Sequence, residues 1–137
     1  MTVRKATQND ILSIKKLILS NQDTLIQRSD QEIEKYIKNF FVKESEGEIV
    51  GCCCLEVYSP KIAEVRSVAV HPDHRMHGYG SELVQAAVEE ANSLNILEIM
   101  VVTSNPNFFE RLSFSTCLNE KYALFWNNPA HKKNKPV

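Results

Sequence analysis

The chain has 137 residues, of which 43% are hydrophobic, so it is long enough and apolar enough to form one domain with a sizeable core. Its net charge of -1 provides no overall attraction to nucleic acid or to an acidic membrane surface. The sequence shows neither an apolar run of transmembrane length nor a signal-peptide core at its start, so we expect a cytoplasmic protein.

The N-terminal half of the sequence predicts three strands and two helices. Two stretches resemble capping boxes, Thr7-x-x-Asp10 and Ser29-x-x-Glu32, and apolar residues follow each of them at helical spacing. A Glu46-Gly47 pair between two β-prone runs signals a hairpin. In chain order, the predicted elements are a strand at 3–6, helices at 11–18 and 29–40, and strands at 41–44 and 49–58.

The C-terminal half is predicted around a central strand at 62–70 and an amphipathic helix at 81–94. Period-two alternation predicts that one face of the strand carries Ile62, Glu64, Arg66, Val68 and Val70. The other predicted elements are a buried strand at 96–102 parallel to the central one, a short helix from Asn105 through Leu112, and strands near 115–117 and 122–126. We expect a single domain over 1–126 and a polar, basic tail over 127–137.

The four cysteines, Cys52, Cys53, Cys54 and Cys117, lack the C-x-x-C spacing of a metal site. Three consecutive cysteines in a strand alternate between its faces, so they are poorly placed to bind one ion together. We interpret them as small buried hydrophobic residues rather than as catalytic nucleophiles, and we expect no metal.

A strand, a tight turn with two glycines and a helix follow one another at 62–94, an arrangement that can bind anions at the helix N-terminus. Gly78 and Gly80 let the backbone approach a phosphate closely, and Arg75 adds a permanent cation. Neither a P-loop nor a dinucleotide-binding G-x-G-x-x-G motif is present. The alternative is a plain strand–turn–helix connection with surface glycines.

Arg75-x-x-Gly78-x-Gly80, preceded by Val-Ala-Val-His-Pro at 68–72, resembles the coenzyme A pyrophosphate loop of the GNAT superfamily of N-acetyltransferases. The predicted element order also resembles that of the GNAT fold, and the resemblance covers about residues 3–125. It implies an α/β (α+β) fold whose mixed central β-sheet is splayed at the middle strands and flanked by helices on both faces. In the segment 105–114 the sequence departs from the family pattern twice, because Phe109 replaces a frequent tyrosine general acid and Ser113 replaces a glycine.

The resemblance implies an N-acetyltransferase with acetyl-CoA as co-substrate and no metal. Glu64 occupies the place where many members keep a glutamate that deprotonates the amine; the alternative is a structural ion pair of Glu64 with Arg66. The residues that the resemblance places against the coenzyme are Val68, Ala69, Val70, Arg75, Met76, His77, Gly78, Tyr79, Gly80, Ser81, Asn105 and Phe109.

A closer resemblance is to short N-acetylglutamate synthase-like enzymes, carried by Arg28-Ser29-x-x-Glu32-Ile33 and by the segment 63–72. It implies an acidic amino-acid substrate, whose carboxylates Arg28 and Arg66 could bind in bidentate fashion. After Phe114 the sequence departs from those enzymes. Another amino acid, a polyamine or a protein amine therefore remains an alternative acceptor, and a domain that binds coenzyme A without turnover is an alternative function. The expected partner is a small-molecule amine, with neither nucleic acid nor membrane, and a homodimer is left open.

Overall fold

The structure, a computed structural model, describes residues 3–116 and 121–131. Its strands and helices are, in chain order, β1 Val3–Lys5, α1 Ile11–Leu19, α2 Asp30–Lys35, β2 Phe40–Ser45, β3 Glu48–Ser59, β4 Ile62–Val70, α3 Tyr79–Ser93, β5 Glu98–Val101 and α4 Pro106–Glu110. Cys117 and the part of the predicted tail beyond residue 131 lie outside the described residues. No helix in the described ranges is long and apolar enough to cross a membrane.

The five strands form one sheet in the order β1-β2-β3-β4-β5, in which only the β4–β5 pair is parallel. The sheet separates two apolar clusters. One cluster lies under α1 and α2 and the other under α3 and α4. The predicted α/β fold, with a mixed sheet and helices on both faces, is therefore confirmed.

Both predicted capping boxes form, one at the start of α2 and the other at the start of a 3-10 turn, Gln8–Asp10, that leads into α1. The Ser29 hydroxyl accepts a hydrogen bond from the Glu32 backbone N–H at 3.1 Å, and the Glu32 carboxylate accepts one from the Ser29 N–H at 3.0 Å. The Thr7 and Asp10 pair makes the same reciprocal contacts ahead of α1. These bonds place Arg28 directly before the start of α2, which matters for the site described below.

The second helix is shorter than the sequence predicts. It ends at Lys35 rather than near Phe40, and a 3-10 turn at Ile37–Asn39 leads into β2. Phe40 is fully buried at the start of β2, where its carbonyl accepts a hydrogen bond from Ala6 N–H at 2.9 Å. Sheet pairing of the β-prone run after Asn39 therefore outweighs the helical spacing of its apolar residues.

The two strands predicted near the end of the chain are wrong over the residues that the structure describes. Ser115, Thr116 and the run 122–126 have no strand conformation. The large apolar side chains of this run are 66–90% exposed, from Tyr122 to Trp126. High β-propensity without a surface to pack against does not make a strand.

The cysteines of β3 are core residues, as predicted. Cys52 and Cys54 face the α1–α2 cluster and Cys53 faces the α3–α4 cluster, all with no solvent exposure. Burial raises the pKa of the Cys52 and Cys54 thiols to about 12, so neither is a thiolate near neutral pH.

Candidate active site

The central strand β4 loses its parallel neighbour halfway along its length. The β4–β5 ladder runs from Ile62 and Glu98 to its last pair, Val65 and Val101, and β5 then ends. On its other side, β4 continues to pair with β3 as far as Val70. Within the described residues, 66–70 therefore have no strand beside them on the β5 side, and this unpaired edge of the strand is called the opening beside β4. The resemblance predicts that the sheet splays at its middle strands.

A β-bulge at Ser67 changes which way the end of β4 faces. Arg66 lies opposite Cys54 but Ala69 lies opposite Cys52, so β4 has one residue more than β3 here, and Ser67 has a φ of 55°. The alternation predicted across the whole strand is therefore wrong beyond Arg66. Glu64 and Arg66 lie on the α1–α2 side of the sheet, whereas the side chains of Val68 and Val70 pack with the α3–α4 cluster.

The turn between β4 and α3 exposes backbone at the start of a long helix. Met76 and Gly78 have positive φ angles, 70° and 78°, and α3 then runs for 15 residues from Tyr79. Within the part of the chain that the structure describes, no side chain caps its first turn. The first N–H groups of α3 are therefore open to a ligand, and the helix dipole favours the binding of an anion there.

Side chains around this turn fix its position. The Arg75 guanidinium donates to the Asn21 side-chain oxygen at 2.8 Å, and Asn21 is itself buried at the end of α1. A Cβ at Gly80 would lie 3.3 Å from the ring of Phe108, so this glycine allows α3 to approach α4 closely. The predicted coenzyme contacts from Arg75 to Ser81 all lie at this turn or in the first turn of α3, where the rings of His77 and Tyr79 are 5.5 Å apart and tilted by 35°.

The two predicted coenzyme contacts near α4 differ from each other. Asn105 is exposed just before α4, where its N–H donates to the Thr103 hydroxyl at 2.9 Å. Phe109 is only 6% exposed and packs edge-on against Phe108 and Phe114. Ser113 has a φ of 72°, the left-handed conformation that explains a glycine at this place in the family.

A buried carboxylate that the sequence analysis did not single out binds both arginines on the α1–α2 side of the sheet. Glu56 of β3 is 5% exposed, lies directly opposite Glu64, and accepts hydrogen bonds from Arg28 at 2.5 Å and from Arg66 at 3.3 Å. Arg28 also donates to the Ser67 hydroxyl at 2.8 Å. Glu56 and Arg28 therefore connect the start of α2 to the bulge in β4.

The two arginines predicted to bind the substrate carboxylates have different surroundings. The Arg28 side chain is 3% exposed and lies within 6 Å of the Tyr36 and Phe40 rings. The Arg66 side chain is 34% exposed and touches Glu56 only through long hydrogen bonds from Nη1. Arg66 can therefore turn towards a ligand, while Arg28 is held beneath it.

Glu64 makes one strong hydrogen bond, with a tyrosine that the sequence did not single out either. The Tyr58 hydroxyl donates to Glu64 Oε1 at 2.6 Å. The ion pair of Glu64 with Arg66, considered as an alternative, does not form, because Arg66 pairs with Glu56 instead. Among the described residues, no side chain or backbone group donates to Glu64 Oε2, which leaves that oxygen for a ligand.

The ionisation of the neighbours follows from these contacts. Burial alone would raise the pKa of Glu56, but the hydrogen bonds and charges of Arg28 and Arg66 outweigh it and hold the pKa below its usual value. Burial and the hydrogen bond to Glu64 raise the pKa of Tyr58, so the phenol stays protonated and acts as a donor. Burial alone would lower the pKa of Arg66, but the charges of Glu56 and Glu64 outweigh burial and raise the pKa above its usual value, so the guanidinium stays charged.

Comparison with known proteins identifies the family. The sequence matches the model of the Acetyltransferase (GNAT) family over residues 11–114. This range includes the opening beside β4, the turn before α3 and Glu64 with its neighbours. The chain belongs to this family. The GNAT resemblance and the acetyltransferase class predicted from the sequence are therefore confirmed.

Two relatives and one solved structure show which kinds of GNAT protein this chain resembles. The GNAT chain is 31% identical to an uncharacterized N-acetyltransferase of Chlorobaculum tepidum over 88% of its own length and 79% of that protein. It is 34% identical to the amino-acid acetyltransferase of Pasteurella multocida over 82% of its length, but it spans only 27% of that protein. Among solved structures, N-acetylglutamate synthase of Neisseria gonorrhoeae, complexed with coenzyme A and N-acetyl-glutamate, matches 81% of this chain and 27% of that one, with 27% identity and a TM-score of 0.76.

Proposed function

We propose that this GNAT domain transfers the acetyl group of acetyl-CoA to the α-amine of an amino acid, with glutamate as the first candidate. The observation that carries the proposal is the placement of Glu64 and the half-exposed Arg66 on one face of β4, at the edge of the opening beside that strand. A proton acceptor and a carboxylate-binding cation then face the same acceptor. The amino-acid acetyltransferase and N-acetylglutamate synthase relatives support this acceptor class.

The coenzyme would bind from the start of α3 to the opening beside β4. The uncapped N–H groups after Gly78 suit the pyrophosphate, and Arg75 can add a positive charge. The main chain of Val68, Ala69 and Val70 has no strand on its β5 side among the described residues, so it would pair with the pantetheine arm. Asn105 and Phe109 would border that arm from the α4 side.

This arrangement suits a direct transfer. Glu64 accepts a proton from the ammonium group of the acceptor, and the free amine attacks the thioester carbonyl. The carbon–nitrogen bond forms, the nitrogen releases its second proton to water, the carbon–sulfur bond breaks, and coenzyme A leaves as the thiolate, which takes a proton from water. Phe109 has no proton to donate, so the chain supplies no general acid at that position.

We expect Gly78→Asp to abolish coenzyme binding without unfolding the protein. The position is open, with no atom within 4 Å of an added Cβ, so the new carboxylate would lie at the helix start and repel the pyrophosphate. Wild type should gain about 2.7 kcal/mol of stability at a hundredfold excess of acetyl-CoA over Kd, seen as a higher melting temperature.

Gly47→Asp is the matched control for this variant. Gly47 has nearly the same φ, 82°, and the same open surroundings, but it lies in the β2–β3 turn. Both variants should lose similar stability from the strained left-handed residue. If Gly78→Asp keeps the full thermal shift with acetyl-CoA, the proposed pyrophosphate site is wrong.

We expect Arg66→Lys to raise KM for the amino acid about tenfold or more and to leave KM for acetyl-CoA nearly unchanged. Lysine keeps the charge but loses the two-pronged geometry, and the contact is made in the ground state as well as in the transition state. Steady-state kinetics with glutamate, aspartate, glutamine, lysine and spermidine tests this and the acceptor class together. Arg111→Lys, an exposed arginine after α4, is the control.

The acidic acceptors should be the best substrates of wild type. A preference for lysine or spermidine, or an Arg66→Lys enzyme with unchanged kinetics, would exclude glutamate and leave a different amine as the acceptor. Arg28 is unsuitable for the same kinetic test, because its substitution would leave the buried Glu56 without its closest partner.

A further inference from the structure

Two carboxylates lie directly opposite each other on β3 and β4, an arrangement that disfavours charge on both. Glu56 pairs with Glu64 in the antiparallel register, where side chains are closest neighbours. Glu56 is neutralised by Arg28 and Arg66. Glu64 lacks an arginine partner within 4 Å among the described residues, yet a base must carry a negative charge to accept a proton.

Tyr58 supplies the compensation. It is half-exposed near the end of β3, and its hydroxyl is 2.6 Å from Glu64 Oε1, a short bond typical of a donor to a charged oxygen. A second contact, 3.3 Å from Tyr58 to Glu56 Oε1, places the hydroxyl between the two carboxylates. We propose that Tyr58 is the positioning residue for the base: it holds Glu64 charged, with one oxygen fixed and the other directed to the amine.

This inference rests on the proposed function, since it requires that Glu64 is the base. A hydrogen bond to the charged form of a carboxylate stabilises that form over the protonated one. Loss of the hydroxyl should therefore lower activity most on the acid side of the pH profile. The charged and titratable groups around it are Tyr58 and Glu56 on β3, Arg66 on β4, Glu98 on β5, and Arg28 and Glu32 at the start of α2.

The test is the pH profile of kcat/KM for the acceptor in the full chain with Tyr58→Phe. Because the carboxylate is active only when deprotonated, activity falls on the acid side, and we expect this acid limb to move up by about half to one pH unit. Well above the limb, kcat/KM should return to within about twofold of wild type. A purely structural loss would instead lower the rate by one factor at every pH.

Tyr122→Phe, which removes the hydroxyl of a tyrosine that is 85% exposed, is the control and should leave the profile unchanged. Glu64→Gln separates the two proposals. If Glu64→Gln is as fast as wild type, the proposed base fails, and the role of Tyr58 fails with it. If Glu64→Gln is slow but the Tyr58→Phe profile superimposes on wild type, or falls equally at all pH values, Glu64 stays the base and the role of Tyr58 is overturned.

Discussion

Replacing Glu64 with glutamine should reduce kcat about 10²–10⁴-fold, the usual loss when a general base is removed. Glutamine has nearly the same shape and can still accept the hydrogen bond from Tyr58, but it cannot take a proton from the ammonium group. The variant should bind acetyl-CoA as wild type does and should gain rate at high pH, where more of the acceptor is already deprotonated. Initial rates of thiol release across pH measure both effects.

Glu48→Gln is the matched control, because Glu48 is an exposed glutamate at the far end of β3. Its kinetics should equal those of wild type. A Glu64→Gln enzyme at full speed would show that Glu64 is a surface carboxylate bound to a tyrosine, and another group or the solvent would then have to accept the proton.

Replacing Glu56 with glutamine should lower the free energy of unfolding by about 3–5 kcal/mol, the usual cost of removing one partner from a buried ion pair. Arg28 would keep its charge in a site where its side chain is 3% exposed. Urea unfolding followed by circular dichroism measures the loss. Glu44→Gln is the control, because Glu44 pairs with Arg4 at 41% exposure and such surface pairs contribute about 0–1 kcal/mol.

The loss should depend on pH in a defined direction. The pKa of Glu56 is lowered in the folded protein, so its contribution to stability is complete above the ordinary value of 4.5 and is lost as the pH falls through the lowered value. Wild type and Glu56→Gln should thus converge in stability in acid. Should Glu56→Gln fail to fold, the pair Arg28→Met with Glu56→Leu removes both charges and should recover most of the stability. A Glu56→Gln loss no larger than that of Glu44→Gln would contradict the buried pair.

Features set by local chemistry could be predicted from the sequence. The capping boxes at Thr7 and Ser29 need only neighbouring residues, and both form. The turn from Arg75 to Gly80 joins a β-prone run to an amphipathic helix, and the structure places it at the start of α3. The end of α2 could not be predicted in the same way, because pairing with β1 and β3 draws Phe40 into the sheet.

Two irregularities in the sheet prevent the surroundings of Glu64 from being predicted from the sequence. Simple alternation puts Val68 on the same face as Glu64, but the bulge at Ser67 turns it to the other side. Counting back from the Ser59–Ile62 pair would place Glu64 opposite Val57, and Glu56 takes that place only because the register shifts between Val57 and Ser59. Bulges depend on the fit between strands rather than on local residue preference, so neither Glu56 nor Tyr58 could be assigned to the site from the sequence.

The most direct test of acetyl transfer is to incubate the purified chain with acetyl-CoA and L-glutamate and to measure free thiol and acetylated product together. We predict that thiol release depends on glutamate, that each thiol is matched by one N-acetylglutamate detected by mass spectrometry, and that Glu64→Gln loses both signals together. The contradicting result is a protein that acetyl-CoA stabilises against heat but that releases no thiol above background with any amine of the panel.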